Sequence, residues 1–266
     1  FDVIDYKKKI DKNLDLNAVI IASDIKSHYQ IAKYFIYNNI SIILEKPACE
    51  TLSQILELKK KIKKRNISLI VNYSDTFNEN YISLIKNLKK IGKIQKIKAE
   101  YASTKTIYKT NKKILPFFDW APHPLSLITK IIKKKPKITY LENEINLRNN
   151  NFFQKIKLKL KSENIDIEIF FKNFNKIKKR KLLIQGTKGQ IKYDGYNNKS
   201  NFFSIKNRYK KFIRLETEVT PINNLLKKFE SLILSNKKYN NLNQTIHIHK
   251  IINNINNHDN YNNRNF

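Results

Sequence analysis

Three residues in this chain have the types and spacing to move a proton at a carbon–oxygen bond. Lys46 follows the apolar run Ile40-Ser41-Ile42-Ile43-Leu44 in the order Glu45-Lys46-Pro47, and further along comes Asp119-Trp120-Ala121-Pro122-His123. A lysine at the carboxyl end of a buried strand polarises a hydroxyl, and an imidazole titrates near neutral pH and can take its proton. A carboxylate and an imidazole at i and i+4 of one helix face the same way. Such a set suits alcohol oxidation, in which a base takes the hydroxyl proton as hydride leaves carbon. Singly, each has a plainer reading: Lys46 is one lysine among many, and Asp119 can cap its own helix. Together, in this order, they read as a site.

The elements that must position them follow from apolar patterning. Residues 16–22, Ile40–Leu44 and Ile67–Val71 are short continuous apolar runs, the pattern of strands buried on both faces of a parallel sheet. Between them, 27–38 carries Ile31, Ala32, Phe35 and Ile36 at helical spacing with Ser27 as a candidate cap. A second helix, opened by Thr51 or Ser53, runs to about Arg65 with Ile55, Leu58 and Ile62 on one face. Strand and helix in alternation give right-handed crossovers and a parallel sheet. Ahead of these, 1–6 reads as the tail of another strand and 6–12 as a short helix. After a helix over 78–90 the pattern changes. A long strand is expected over 94–104 and one amphipathic helix over 119–133, and strands dominate from 137 to 215, among them 152–160, 165–171 and 182–185. Gly186-Thr187-Lys188-Gly189 signals a tight turn before the strand 190–193. Strands without intervening helices indicate an antiparallel sheet. Helices over 222–234 and 243–254 follow, and the Asn-rich last dozen residues read as frayed.

Composition narrows the function class. The chain has 266 residues and a formal net charge of +31, which invites a polyanion-binding reading. Only six of its 53 basic residues are Arg, whereas base reading and bidentate phosphate contacts favour the guanidinium fork. Lys, Asn, Ile, Tyr and Phe are raised together, a pattern of A/T-rich codons, and no specific nucleic-acid partner is expected. No apolar run approaches the ~18 residues of a membrane-spanning helix, and no signal peptide is evident, so a cytoplasmic location is expected. The single cysteine, Cys49, excludes an internal disulfide and reads as a small buried hydrophobe. His247 and His249, two apart, point to different faces of a helix, and no metal site is expected.

Four features together resemble the Gfo/Idh/MocA family of oxidoreductases: Ala22-Ser23 followed by His28; Glu45-Lys46-Pro47; the pair Asp119 and His123; and Gly186-Thr187-Lys188-Gly189 before a strand. The resemblance implies an α/β fold, here a truncated Rossmann parallel sheet followed by an α+β domain with a large, mostly antiparallel open sheet. It divides the chain into the C-terminal part of an NAD(P)-binding domain over 1–91, a substrate and oligomerisation domain over 92–220, closing helices over 221–256 and a frayed tail over 257–266. It implies NAD or NADP as cofactor, with Ala22, Ser23, His28, Glu45 and Lys46 in cofactor binding and Lys46, Asp119 and His123 in catalysis. His28 either touches the cofactor or only packs. The implied substrate is a small sugar, nucleotide sugar or polyol, and the implied partner is a second copy of the chain through the antiparallel sheet.

The departures from that family matter too. None of the four glycines lies before Gly92, so the Gly-rich turn that holds a dinucleotide pyrophosphate is missing, as is the ribose selector. The chain contains no methionine, at position 1 or elsewhere, which reads as a start inside a longer frame. Asp24 stands where the family often has proline, and 72–77 lacks the arginine often found there. A non-catalytic remnant serving as a binding or oligomer-partner protein is the alternative reading.

Overall fold

Runs of β-branched residues too short for helices pair here as parallel strands, and longer alternating runs build an open sheet. The computed structural model describes residues 16–104, 116–132, 134–149, 151–196, 199–204, 210–214 and 219–262. The chain forms two compact units, 1–73 with 223–249, and 74–222 with 250–266. The elements expected over 1–6 and 6–12 lie outside the described residues.

In the first unit β1 (Ala18–Ile21), β2 (Ser41–Leu44) and β3 (Leu69–Val71) pair in parallel, in that order. β2 and β3 are buried at every position, as strands covered on both faces must be. Helix α1 (Ile25–Tyr37) joins β1 to β2 and buries Ala32, Phe35 and Ile36. Its cap is Asp24 rather than Ser27. The Asp24 carboxylate accepts from Lys26 N at 3.1 Å, and the Ser27 hydroxyl donates back to Asp24 O at 2.8 Å. Helix α2 (Leu52–Ile62) opens on Thr51 with a full capping box to Gln54 and buries the expected stripe Ile55, Leu58 and Ile62. The free edge of β3 is covered by 237–241. Asn241 accepts from Val71 N and donates to Val71 O, both at 2.8 Å, and Leu69 N donates to Tyr239 O at 2.9 Å. An otherwise unpaired strand edge is thereby closed.

In the second unit α3 (Glu79–Asn87) follows a 3₁₀ turn over Ser74–Phe77, and then comes β4 (Ile94–Ala102). Helices α4 (Pro116–Trp120) and α5 (Pro122–Ile131) lead into β5 (Lys137–Arg148), β6 (Asn151–Ser162), β7 (Ile165–Lys172), β8 (Lys179–Gly186), β9 (Gly189–Asp194), β10 (Lys199–Ser204) and β11 (Lys210–Arg214). Among the described residues they form one sheet in the order β11-β10-β9-β8-β4-β7-β6-β5, antiparallel throughout except for β4 with β7. Alternation sends Ile97, Leu158, Ile169 and Ile184 to the buried face. The other face carries cross-strand ion pairs, such as Lys96 with Glu168 and Lys161 with Asp166, each at 2.6 Å.

Two helical expectations change. The single helix over 119–133 is two, because Pro122 and Pro124 bring no N–H to the ladder and the break falls at Ala121. The last helix, α7 (Leu242–Asn262), runs well into the Asn-rich stretch expected to fray, which contains neither Gly nor Pro. The helix before it is α6 (Pro221–Leu234). Among the described residues no helix is long and apolar enough to cross a membrane.

The β8–β9 turn shows why glycine stands at 186. A Cβ there would lie 2.3 Å from the Ile91 carbonyl oxygen, against which the turn is fastened by Lys188 N at 2.8 Å. Gly186→Ala is expected to cost about 2 kcal/mol, because buried backbone must move. The urea midpoint should fall while the m-value holds.

Candidate active site

In open α/β sheets ligands bind outside the carboxyl ends of the strands, and there the first unit gathers the expected cofactor-side residues. Ala22 and Ser23 follow β1, Glu45 and Lys46 follow β2, and Asn72 follows β3. Ala22 is exposed, while Ser23, Glu45 and Lys46 are half-buried. Asn72 donates its side-chain amide to one Glu45 carboxylate oxygen, and Lys46 N donates to the other at 3.2 Å. Lys46-Pro47 is a cis peptide. His28 is 2 % exposed, with Nδ1 3.0 Å from Pro47 O and Nε2 2.9 Å from Ser23 O. Both ring nitrogens are occupied by backbone, so His28 braces the loop after β1 against the loop after β2. Cys49 is buried, its thiol pushed up to about 12 by burial, which fits the hydrophobe reading.

The second unit builds a tighter cluster. The β6 residue Gln154, itself held by Asn173, accepts from Phe117 N at 2.8 Å and so anchors the start of α4. Trp120 closes α4, and its ring centroid lies 5.7 Å from that of His123 in the first turn of α5. His123 Nδ1 is 2.9 Å from Asp75 Oδ2, and Arg180 Nη1 on β8 donates to Asp75 Oδ1 at 2.8 Å. The guanidinium lies between two rings, 5.5 Å from Trp120 and 5.2 Å from Tyr196. Burial alone would raise the Asp75 carboxyl, but the hydrogen bond and charge of His123 and then the charge of Arg180 hold it below the usual range. An ionised carboxylate only accepts, so Nδ1 carries the hydrogen, and in the neutral ring Nε2 keeps the lone pair.

The carboxylate on the His123 ring is therefore Asp75, from the turn after β3. Asp119 lies half-buried in α4, on the other side of the break at Ala121. Neither Asp75 nor Arg180 stood out in the sequence. The segment 72–77 has no arginine of its own, and Arg180 supplies one from β8. Its signal was the rarity of Arg in a lysine-dominated chain, since only the planar fork can stack on two rings while bonding an acid. His247 is exposed, and burial lowers His249 below the ordinary histidine range. Among the described residues no cluster of three or more His, Cys, Asp or Glu stands ready for a metal.

The Asp75 contribution to stability has a defined pH window. Its folded-state value is depressed, so the contribution is present above the unfolded carboxyl value, ~3.9, and is lost as pH falls through the folded value. The stability difference between wild type and Asp75→Asn, measured by urea unfolding, should be largest near neutrality and shrink below about pH 4.

Residues 2–73 match the family model described as an oxidoreductase family with an NAD-binding Rossmann fold. Among solved structures, a dehydrogenase from Clostridium difficile is 17% identical at a TM-score of 0.76, covering 91% of this chain and 78% of its own. UDP-N-acetylglucosamine 3-dehydrogenase from Acidithiobacillus ferrooxidans is 12% identical at 0.74, covering 90% and 77%. A 3-ketoreductase from Actinomadura kijaniata, in complex with TDP-benzene and NADP, is 10% identical at 0.74, covering 90% and 76%. No curated protein matches the sequence. The parallel sheet thus lies within the stretch that matches the NAD-binding family model, and the parallel sheet followed by the large mixed sheet is the fold these solved structures share with the chain.

Proposed function

We propose that the protein is an NAD(P)-dependent dehydrogenase acting on a hydroxyl of a sugar, nucleotide sugar or polyol. The supporting observation is the His123 ring, fixed through Nδ1 on the buried Asp75 carboxylate with Nε2 left to exchange a proton. The UDP-N-acetylglucosamine 3-dehydrogenase activity named for one solved structure, and the TDP-benzene and NADP bound to a 3-ketoreductase in another, support the substrate class.

The residues after β1 and β2 fit the nicotinamide side of such a cofactor. Ser23 and Glu45 offer polar contacts on loops braced by His28, and Asn72 sets the Glu45 carboxylate. The diphosphate is a different matter, because no glycine occurs among residues 16–73 to let backbone approach it. When bound, the cofactor accepts or returns the hydride. Lys46, at the end of β2, orients the substrate hydroxyl and makes its proton easier to remove. His123 takes that proton at Nε2 during oxidation and returns it during reduction. Asp119 helps to hold the site from α4, and the Trp120 ring offers an apolar wall to a sugar face. Self-association through the outer sheet face, and a cytoplasmic location, belong to the same proposal.

The test is a panel of UDP- and TDP-sugars, free sugars and polyols with NAD and with NADP, read by the absorbance of the reduced nicotinamide. Saturable turnover with one substrate class is expected. A protein that turns over none of them and binds neither cofactor would instead fit the binding or oligomer-partner role.

A further inference from the structure

A buried carboxylate alone beside an imidazole favours the imidazolium, which has no lone pair with which to accept a proton. Asp75 does not act alone. Among the described residues its two oxygens are divided, Oδ2 to His123 at 2.9 Å and Oδ1 to Arg180 at 2.8 Å. We propose that Arg180 is a positioning residue for the reaction, sharing the Asp75 carboxylate so that His123 keeps the tautomer whose Nε2 can accept a proton. This rests on the reading of His123 as the proton acceptor.

The guanidinium is built into place. It stacks between Trp120 and Tyr196, while Gly195 N donates to Arg180 O at 2.8 Å. A Cβ at Gly195 would come 3.3 Å from Arg180 Cβ, so the chain closes tightly over the arginine. Tyr196 is held there in turn, its N–H donating to Asp194 Oδ1 at 3.0 Å. A lysine could keep the charge but not the two stacked faces.

Other groups around the cluster leave this division of charge intact. Tyr101 on β4, directly across from Arg180, Tyr193 on β9 and Tyr81 on α3 are pushed above the ordinary tyrosine range by burial and stay neutral. Asp194 faces the Tyr196 backbone, Lys130 on α5 lies over the Phe77 ring at 5.5 Å, and Asp119 sits in α4.

The experiment follows the ring nitrogens of His123 by NMR across pH in wild type, Arg180→Gln and Arg180→Lys, with the pH–rate profile of alcohol oxidation beside it. In Arg180→Gln the ring should take its second proton at a pH higher by about one unit, and the acid limb of the profile should move the same way. Arg180→Lys should restore most of the wild-type midpoint, and it keeps the test open where the glutamine variant fails to fold. A wild-type midpoint in folded Arg180→Gln, or a lysine variant displaced as far as predicted for glutamine, overturns the role of Arg180. If the expected NMR shift appears but no substrate is oxidised, charge sharing stands and the dehydrogenase reading fails.

Discussion

His123→Ala should lower kcat for alcohol oxidation by about 100- to 10,000-fold while leaving the unfolding midpoint close to wild type. The ring is only partly buried, with 16% of its side chain exposed, and its ring bond is to one carboxylate, so its loss removes chemistry before stability. Asp75→Asn should fall in the same direction by about 100-fold or more. A carboxamide can donate to Nδ1, which stabilises the tautomer with hydrogen on Nε2, the wrong one for a base. The two changes should not add. Once the imidazole is gone its orienter has nothing to hold, and the double variant should be no slower than His123→Ala. The check is kcat and kcat/KM for all three variants at several pH values. Additive losses would show that Asp75 acts by some route other than the ring.

Lys46→Ala should be comparably severe, lowering kcat/KM by about 100-fold or more through the loss of a charge placed where the alkoxide develops. Lys46→Arg should not rescue it, because a broad guanidinium cannot replace a compact ammonium. The loops there are held by other residues, Glu45 by Asn72 and Pro47 O by His28, so the fold of the first unit should survive. Circular dichroism and urea unfolding check that, and steady-state kinetics check the rate. Wild-type rates in both Lys46→Ala and His123→Ala would remove the site assignment altogether.

Much of the fold was legible because its signals are local. The runs 40–44 and 67–71 announced β2 and β3, the Thr51 cap with Ile55, Leu58 and Ile62 announced α2, and Gly186 with Gly189 announced the β8–β9 turn. Errors came where one residue outranks a pattern. Two prolines divide a helix whose apolar spacing runs straight through them, and Asp24 caps its helix three residues ahead of the expected Ser27. The site was half legible. Glu45-Lys46-Pro47 and His123 stand in short motifs, whereas Asp75, in the turn after β3, and Arg180, on β8, are far apart in sequence and meet only in the fold. No spacing rule reaches across a sheet register. His28 shows the same limit, since sequence alone left open whether its ring meets a cofactor, and its two carbonyl partners come from the loops after β1 and after β2.

The most direct test of the central claim is a titration of the protein with NADH and with NADPH, following the fluorescence of the reduced nicotinamide itself. Saturable binding to one site per chain, weakened by Glu45→Ala and abolished in competition with the oxidised form, is the result expected of an NAD(P)-dependent oxidoreductase. Absence of saturation with either dinucleotide, for a protein shown to be folded, would contradict it.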